Sequence, residues 1–259
     1  MARPSPVTLT PVRLPLAKQG QNLNELVERA LHNQNTCLRN GDVLAVASKV
    51  VSLCENRILR LDTVRVSTRA KRLSERWQID RRLTSIVLQE ADLVLGGTRG
   101  FLLTVKDGIL TANAGVDLKN SPHGTLTLWP KNADQSAARL RRHLEHKAAI
   151  RLGVEIVDSR VTALRLGTVG LAIGVSGFEP IRDYRAKPDL YGRKVKVTQS
   201  NIADDLAAAA HMLMGETRER VGTVLVRNAP VRFERLNGSV HAKLRPERCL
   251  ISNGLGRFR

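Results

Sequence analysis

Apolar and polar positions change rhythm several times along the chain, and each change marks an element. Four prolines, Pro4, Pro6, Pro11 and Pro15, keep the opening segment extended. Leu23, Leu26, Val27, Ala30 and Leu31 then recur at helical spacing and predict a first amphipathic helix. From Asp42 to Val51 the run DVLAVASKVV is apolar almost without a break, which predicts a strand buried on both faces. Thr68 to Leu95 carries a helical pattern with many Arg and Lys on its polar side, closed by Gly96-Gly97. FLLTV and ILTANAGVD, separated by Asp107-Gly108, predict a hairpin. The next helix runs from about Asp134 to Ala149, with Asp134 near its N-terminus and Arg139, Arg141, Arg142 and Lys147 toward its middle and C-terminus, a polarity that agrees with the helix dipole. GVEIVDS reads as a strand ending on an aspartate, and LGTVGLAIGVSGF as a buried, glycine-punctuated strand and turn. Ala203 to Met214 forms a strongly apolar helix before the strand GTVLVRN. Strands and helices intermix without strict alternation, so the predicted class is α+β with mixed and antiparallel sheets, not a doubly wound parallel sheet.

Composition narrows the partners. The chain has 259 residues, enough for a sizeable core, and its 42% hydrophobic content suits a folded protein. Lys and Arg number 42 against 24 Asp and Glu, a formal charge of +18. Such a field calls for a partner rich in negative charge: nucleic acid, an anionic membrane surface, or small phosphorylated molecules. With two Trp, two Tyr and four Phe the chain offers few platforms for stacking bases, so nucleic acid is the weaker of these partners. No apolar run approaches the ~20 residues that cross a bilayer. The Met-Ala-Arg-Pro start lacks a continuous signal-peptide core, and the expected location is the cytoplasm. Cys37, Cys54 and Cys249 are odd in number, widely separated and without a CxxC pair, as reduced structural thiols are. The stretch Pro230 to Arg259 holds seven Lys or Arg against two Glu and reads as a basic C-terminal tail following one domain over residues 1–229.

Candidate chemistry starts from absences. The chain contains no G-x-x-x-x-G-K-[ST] loop, no H-E-x-x-H, no G-x-S-x-G and no G-x-G-x-x-G between a strand and a helix. Handling of phosphate would therefore rest on carboxylate-held metals and basic side chains. Asp117 in ANAGVD and Asp158 in VEIVDS each end an apolar run, where a carboxylate is held firmly yet can face a cleft as a Mg²⁺ or Mn²⁺ ligand. Taken singly, an aspartate at the end of a strand is more often a turn former or a helix cap. Ser159 can add a hydroxyl ligand, Asn120 can bond a phosphate or a base, and Ser48 with Lys49 can meet phosphate. DYRAKPDLYGR, residues Asp183 to Arg193, alternates charges with two tyrosines and reads as either a solvated loop or a binding segment. The six histidines form no pair at metal-ligand spacing.

Eight segments, in order, carry a resemblance: LPLAKQGQNLNELV, GDVLAVASKVVSLCENR, ANAGVDLKN, DQSAARLRR, GVEIVDS, LRLGTVGLAIGVSGFEPIRDYRAKPDLYGR, KVTQSNIADDLAAAAHMLMG and VLVRN. Together, over Leu14 to Asn228, they resemble the coenzyme F420-0:L-glutamate ligase family. The resemblance implies the γ-glutamyl ligase fold, an α+β arrangement that intertwines as a homodimer. It also implies a GTP-dependent ligase that phosphorylates the carboxylate of the anionic deazaflavin cofactor F420-0 and adds L-glutamate by γ-linkage through the acyl phosphate. By this resemblance Asp117 and Asp158 are catalytic, and Asp117, Asp158 and Ser159 hold a two-metal site of Mg²⁺ or Mn²⁺. Leu14, Pro15, Leu16, Ala17, Ser48 and Asn120 would contact the nucleotide, the first four largely through backbone. One departure stands out: where members commonly read S-K-x-E-G, this chain has Ser52-Leu53-Cys54-Glu55-Asn56, so leucine replaces a phosphate-binding lysine. Two alternatives stay open: a ligase of this fold with another acceptor or nucleotide, and a non-catalytic basic paralogue that binds anions or RNA.

Overall fold

Apolar runs without polar interruption become the middle of the fold, because a strand covered on both faces needs oily side chains in both directions. The computed structural model describes residues 5–238 and 242–255. The N-terminal third contains β1 (Thr8–Arg13), α1 (Leu23–Asn33), β2 (Val43–Ala47), α2 (Ser48–Cys54), β3 (Ile58–Arg60), α3 (Thr68–Trp77) and α4 (Arg81–Glu90). Next come β4 (Leu93–Thr98), β5 (Phe101–Lys106), β6 (Ile109–Ala112), β7 (Thr125–Thr127), α5 (Ala133–Ala148), β8 (Gly153–Val161) and β9 (Thr168–Phe178). The chain continues through β10 (Ile181–Asp183), β11 (Gln199–Asn201), α6 (Ile202–Met214), β12 (Val221–Arg227), β13 (Phe233–Asn237) and α7 (Leu250–Leu255).

Six strands form the main sheet, in the order β1-β12-β2-β8-β9-β13. Strands β2 and β8 are parallel and their neighbours pair antiparallel, so the sheet is mixed. Small antiparallel sheets β4-β5-β6, β3-β7 and β10-β11 flank it, giving the α+β class. Strand alternation divides the core in two. Leu44, Val46, Val154, Ile156 and Leu225 face α1 and α5, meeting Leu26, Val27, Leu140 and Leu144. Val43, Ala45, Val157, Val224 and Val226 face α6, whose Ala203, Ala207 and Ala210 let the helix lie close. That approach leaves no room for a side chain at Gly170, which meets the Ala207 carbonyl. A third cluster joins α4 to the small sheets through Leu83, Ile86, Val87, Leu102 and Leu126.

Several elements differ from the sequence pattern. The single helix expected over Thr68 to Leu95 is a pair: Gln78 turns left-handed (φ 53°) after α3, and Asp80 caps α4 by accepting from Arg82 and Leu83 N–H at 2.7 and 3.1 Å. Gly96-Gly97 lies inside β4 and does not end a helix. The strand expected over Asp42 to Val51 stops at Ala47 and turns into α2, because a short apolar run carries no periodicity to separate strand from helix. ILTANAGVD leaves β6 at Ala112, β8 runs past Asp158 to Val161, and the glycine-punctuated segment is one continuous strand, β9. Beyond residue 229 the sheet continues, since β13 pairs with β9.

One core residue stands apart. Glu155, on the α6 side of β8, is fully buried, and neither carboxyl oxygen has a hydrogen-bond partner among the described residues. Burial, with a smaller contribution from Asp204, pushes its pKa well above the usual carboxylate range. The fold therefore favours the neutral acid, while the unfolded chain ionises near pH 4.3. Stability is full below that value and falls as pH rises toward the higher folded pKa. Glu155→Met removes the unbonded carboxyl and is expected to stabilise the protein by about 1–3 kcal/mol at neutral pH. In urea unfolding followed from pH 4 to pH 8, the gap between variant and parent should widen with pH; a constant or shrinking gap contradicts this assignment.

Candidate functional site

Ala47 and Val157 are register partners in the parallel β2–β8 pair. The residues that follow them, Ser48 and Asp158, therefore stand side by side, where β2 ends and β8 runs on without it. The neighbouring strands meet at the same end. Arg13 at the end of β1 pairs with Val221 at the start of β12, and Leu14 donates its N–H to the Arg220 carbonyl at 3.0 Å. The outcome is a cleft of about 930 Å³, walled by residues 14–17, the start of α2, residues 119–122 and residues 214–222.

Asp117 reaches this cleft from the side, on a turn of unusual backbone. Asn113, Ala114 and Gly115 are all left-handed, with φ of 50°, 53° and 70°. Two buried bonds hold them there: the Asn113 side chain accepts from Leu102 N–H and Ala114 N–H donates to the Thr104 hydroxyl, both at 2.8 Å. Asp117 and Thr127 then exchange backbone hydrogen bonds of 2.9 and 2.8 Å, fixing the start of the next segment.

Charges alternate across the cleft. The Asp158 carboxylate accepts from the Ser159 N–H at 2.9 Å, from the Trp129 indole and from the Ser48 hydroxyl. Burial outweighs these bonds and, helped by the like charge of Asp117, pushes its pKa up to about 6. Asp117 is more open, with 44% of its side chain exposed, and takes the Lys49 ammonium at 2.6 Å on one oxygen. Its other oxygen accepts the Lys119 N–H at 2.8 Å. The Lys119 ammonium pairs in turn with Glu216. Burial works to raise the Glu216 pKa, but bonds from Lys119, Thr168 and His211 overcome it and hold that carboxyl at about 2. Asn120, left-handed at φ 55°, donates to the Thr217 carbonyl at 3.1 Å and ties the Asp117 turn to the opposite wall.

Among the described residues no three His, Cys, Asp or Glu side chains form a ready-made metal cage. Mg²⁺ rarely uses one: it takes one or two carboxylates and completes its shell with water and substrate phosphates. Asp117 and Asp158, with the hydroxyls of Ser48 and Ser159 beside them, are a donor set of that kind.

The residues given metal or nucleotide roles by the resemblance all line this one cleft: Leu14, Pro15, Leu16, Ala17, Ser48, Asp117, Asn120, Asp158 and Ser159. Lys49 and Leu53 also line it, one helical turn apart on α2, with Leu53 only 8% exposed and packed into the wall. None of residues 183–193 borders it; beyond Asp183, the end of β10, they form a largely exposed loop closed by a bridge between Pro188 and Lys194. Sequence reasoning missed the wall of residues 214–222, because GETRER after an apolar helix looks like an ordinary solvated turn. It also passed over His211, which lines the cleft and bonds Glu216 at 2.9 Å, and Trp129, whose buried indole required a partner for its N–H.

Comparison with known proteins places the chain in a family. The family described as F420-0:Gamma-glutamyl ligase matches residues 11–228. The chain is 38% identical over 243 residues to the coenzyme F420:L-glutamate ligase of Archaeoglobus fulgidus, covering 92% of this chain and 94% of that protein. It is 37% identical over 227 residues to that of Methanopyrus kandleri, covering 87% and 88%. With that of Methanocaldococcus jannaschii it shares 34% identity over 239 residues, covering 91% and 92%. Matched along most of its length by both comparisons, the chain belongs to the F420-0:gamma-glutamyl ligase family.

Proposed function

We propose that this chain is a coenzyme F420:L-glutamate ligase that uses GTP and a divalent cation to join L-glutamate, by γ-linkage, to the phosphorylated deazaflavin F420-0. The observation that carries this reading is the convergence of Asp117, Asn120, Asp158 and residues 14–17, drawn from distant parts of the chain, on a single cleft. A free carboxylate is a poor acyl donor. Transfer of the γ-phosphoryl group from GTP would give GDP and an acyl phosphate; the glutamate amine then attacks the carbonyl carbon and phosphate leaves. Asp117, Asp158 and Ser159 would hold Mg²⁺ or Mn²⁺, which supplies charge neutralisation for phosphates in transfer. Residues 14–17, Ser48 and Asn120 would seat the nucleotide, while the Lys49 and Lys119 ammonium groups offset its charge. A homodimer fits as well, since Leu164, Leu166, Leu190 and Tyr191 stand almost wholly exposed on the β8–β9 hairpin tip and the 184–198 loop.

Leu53 favours a second reading, a ligase of this fold with another nucleotide or acceptor. An apolar wall here replaces a family lysine and cannot offset phosphate charge.

Each of these proposals has a measurable outcome. Protein mixed with GTP, Mn²⁺, L-glutamate and F420-0 should yield a product heavier by glutamyl units in mass spectrometry. Asp117→Asn or Asp158→Asn should cut that turnover about a hundredfold or more without loss of folding, since the amide keeps shape but not charge. A folded parent that makes no product under these conditions, yet phosphorylates other carboxylates, selects the second reading. Leu53→Lys should tighten GTP binding by roughly tenfold in calorimetry; unchanged affinity places position 53 away from the phosphates. Light scattering should give twice the chain mass for the parent and the single mass for Leu164→Ser with Leu166→Ser; a monomeric parent rejects the dimer.

A further inference from the structure

We propose that Trp129 is a positioning residue of the cleft, locking the carboxylate of Asp158 in register with the turn that carries Asp117. The indole is buried, 4% exposed, and does two things at once. Its ring lies directly on Gly115, leaving no space there for even a methyl group. Its N–H, which can only donate, points to one oxygen of Asp158 while the Ser159 N–H holds the other at 2.9 Å. Gly115 precedes Asp117 by two residues, so a single side chain spans the two acidic segments of the site.

Trp129 is itself held from behind. Its carbonyl accepts from Arg57 Nε at 2.9 Å, and the other arm of that guanidinium is anchored on Glu90 at 2.8 Å. Leu128 N–H donates to the Arg57 carbonyl at 2.9 Å, and Pro130 restricts Trp129 to extended backbone. A packing role alone would need the ring and not the donor. A carboxylate whose two oxygens are both fixed presents its remaining lone pairs in one direction, as a cation ligand requires.

The proposal rests on Asp158 being a cation ligand, and the test separates the two. Free Mn²⁺, counted by electron paramagnetic resonance, gives the affinity of the full chain, of Trp129→Phe, which keeps a packed ring and loses the donor, and of Asp158→Asn. Expected are binding by the parent, none by Asp158→Asn, and binding about tenfold to a hundredfold weaker by a folded Trp129→Phe. A second reading uses the native side chain. The chain has two tryptophans, so the indole ¹H–¹⁵N resonance that persists in Trp77→Phe belongs to Trp129. It should shift when diamagnetic Mg²⁺ is added and move upfield in Asp158→Asn as the charge-assisted bond is lost. Parent-like Mn²⁺ affinity in Trp129→Phe, with binding abolished in Asp158→Asn, overturns the positioning role alone. Parent-like affinity in Asp158→Asn, or no binding by the parent, overturns the ligand assignment and the proposal with it. Should Trp129→Phe fail to fold, the resonance decides: indifference to both Mg²⁺ and Asp158→Asn refutes the role.

Discussion

The pairing of β2 with β8 governs this molecule. Because those two strands run parallel, with Ala47 opposite Val157, the end of β2 leaves Ser48 beside Asp158 while β8 runs on to Val161. A slip of one residue would turn Asp158 to the α6 face and bury its charge among alanines. The register is well defended, since Leu44, Val46, Val154 and Ile156 must all face α1 and α5 while Val43, Ala45 and Val157 face α6. Hydrophobic burial on both faces thus decides where a carboxylate stands. An irregularity in the β8–β9 ladder lies between Ile156 and Val157, just before Asp158.

What could be read from sequence divides along physical lines. Long periodic segments were legible: α1, α5 and α6 lie within a residue or two of their patterns, and the Asp107-Gly108 hairpin turn is present, with both residues left-handed. The α+β class followed from the irregular order of elements. Short apolar runs were not legible, because Ser48 to Cys54 is equally apolar as strand or helix, and only α2 packing against β8 separates them. In the site, residues inside recognisable segments were legible, among them Asp117, Asn120 and Asp158, and one cleft gathers them. Partners supplied by tertiary contact left no local trace: Lys49 meets Asp117 across 68 positions, and Lys119 meets Glu216 across 97.

The excess of positive charge has a local counterpart. Around the cleft the ammonium groups of Lys49 and Lys119 each stand on a carboxylate, so the site is a lattice of opposite charges and not a simple basic pocket. Such a lattice can accept polyanions and cations together, since each incoming charge exchanges partners with one already present. Glu216 illustrates the balance, its three hydrogen bonds keeping it ionised despite burial.

The order of strands in space has a consequence for how the chain comes into being. β12 is inserted between β1 and β2, although some two hundred residues separate β1 from it along the chain. During ribosomal synthesis β1 therefore emerges with no neighbour, and β2 keeps an open edge until Val221–Arg227 has left the exit tunnel. A nascent chain stalled before that point would lack the wall made by residues 214–222 and present bare strand edges to the cell. β1 is thus among the last of the described strands to find its place, and dependence on chaperones during translation would be concentrated in that interval.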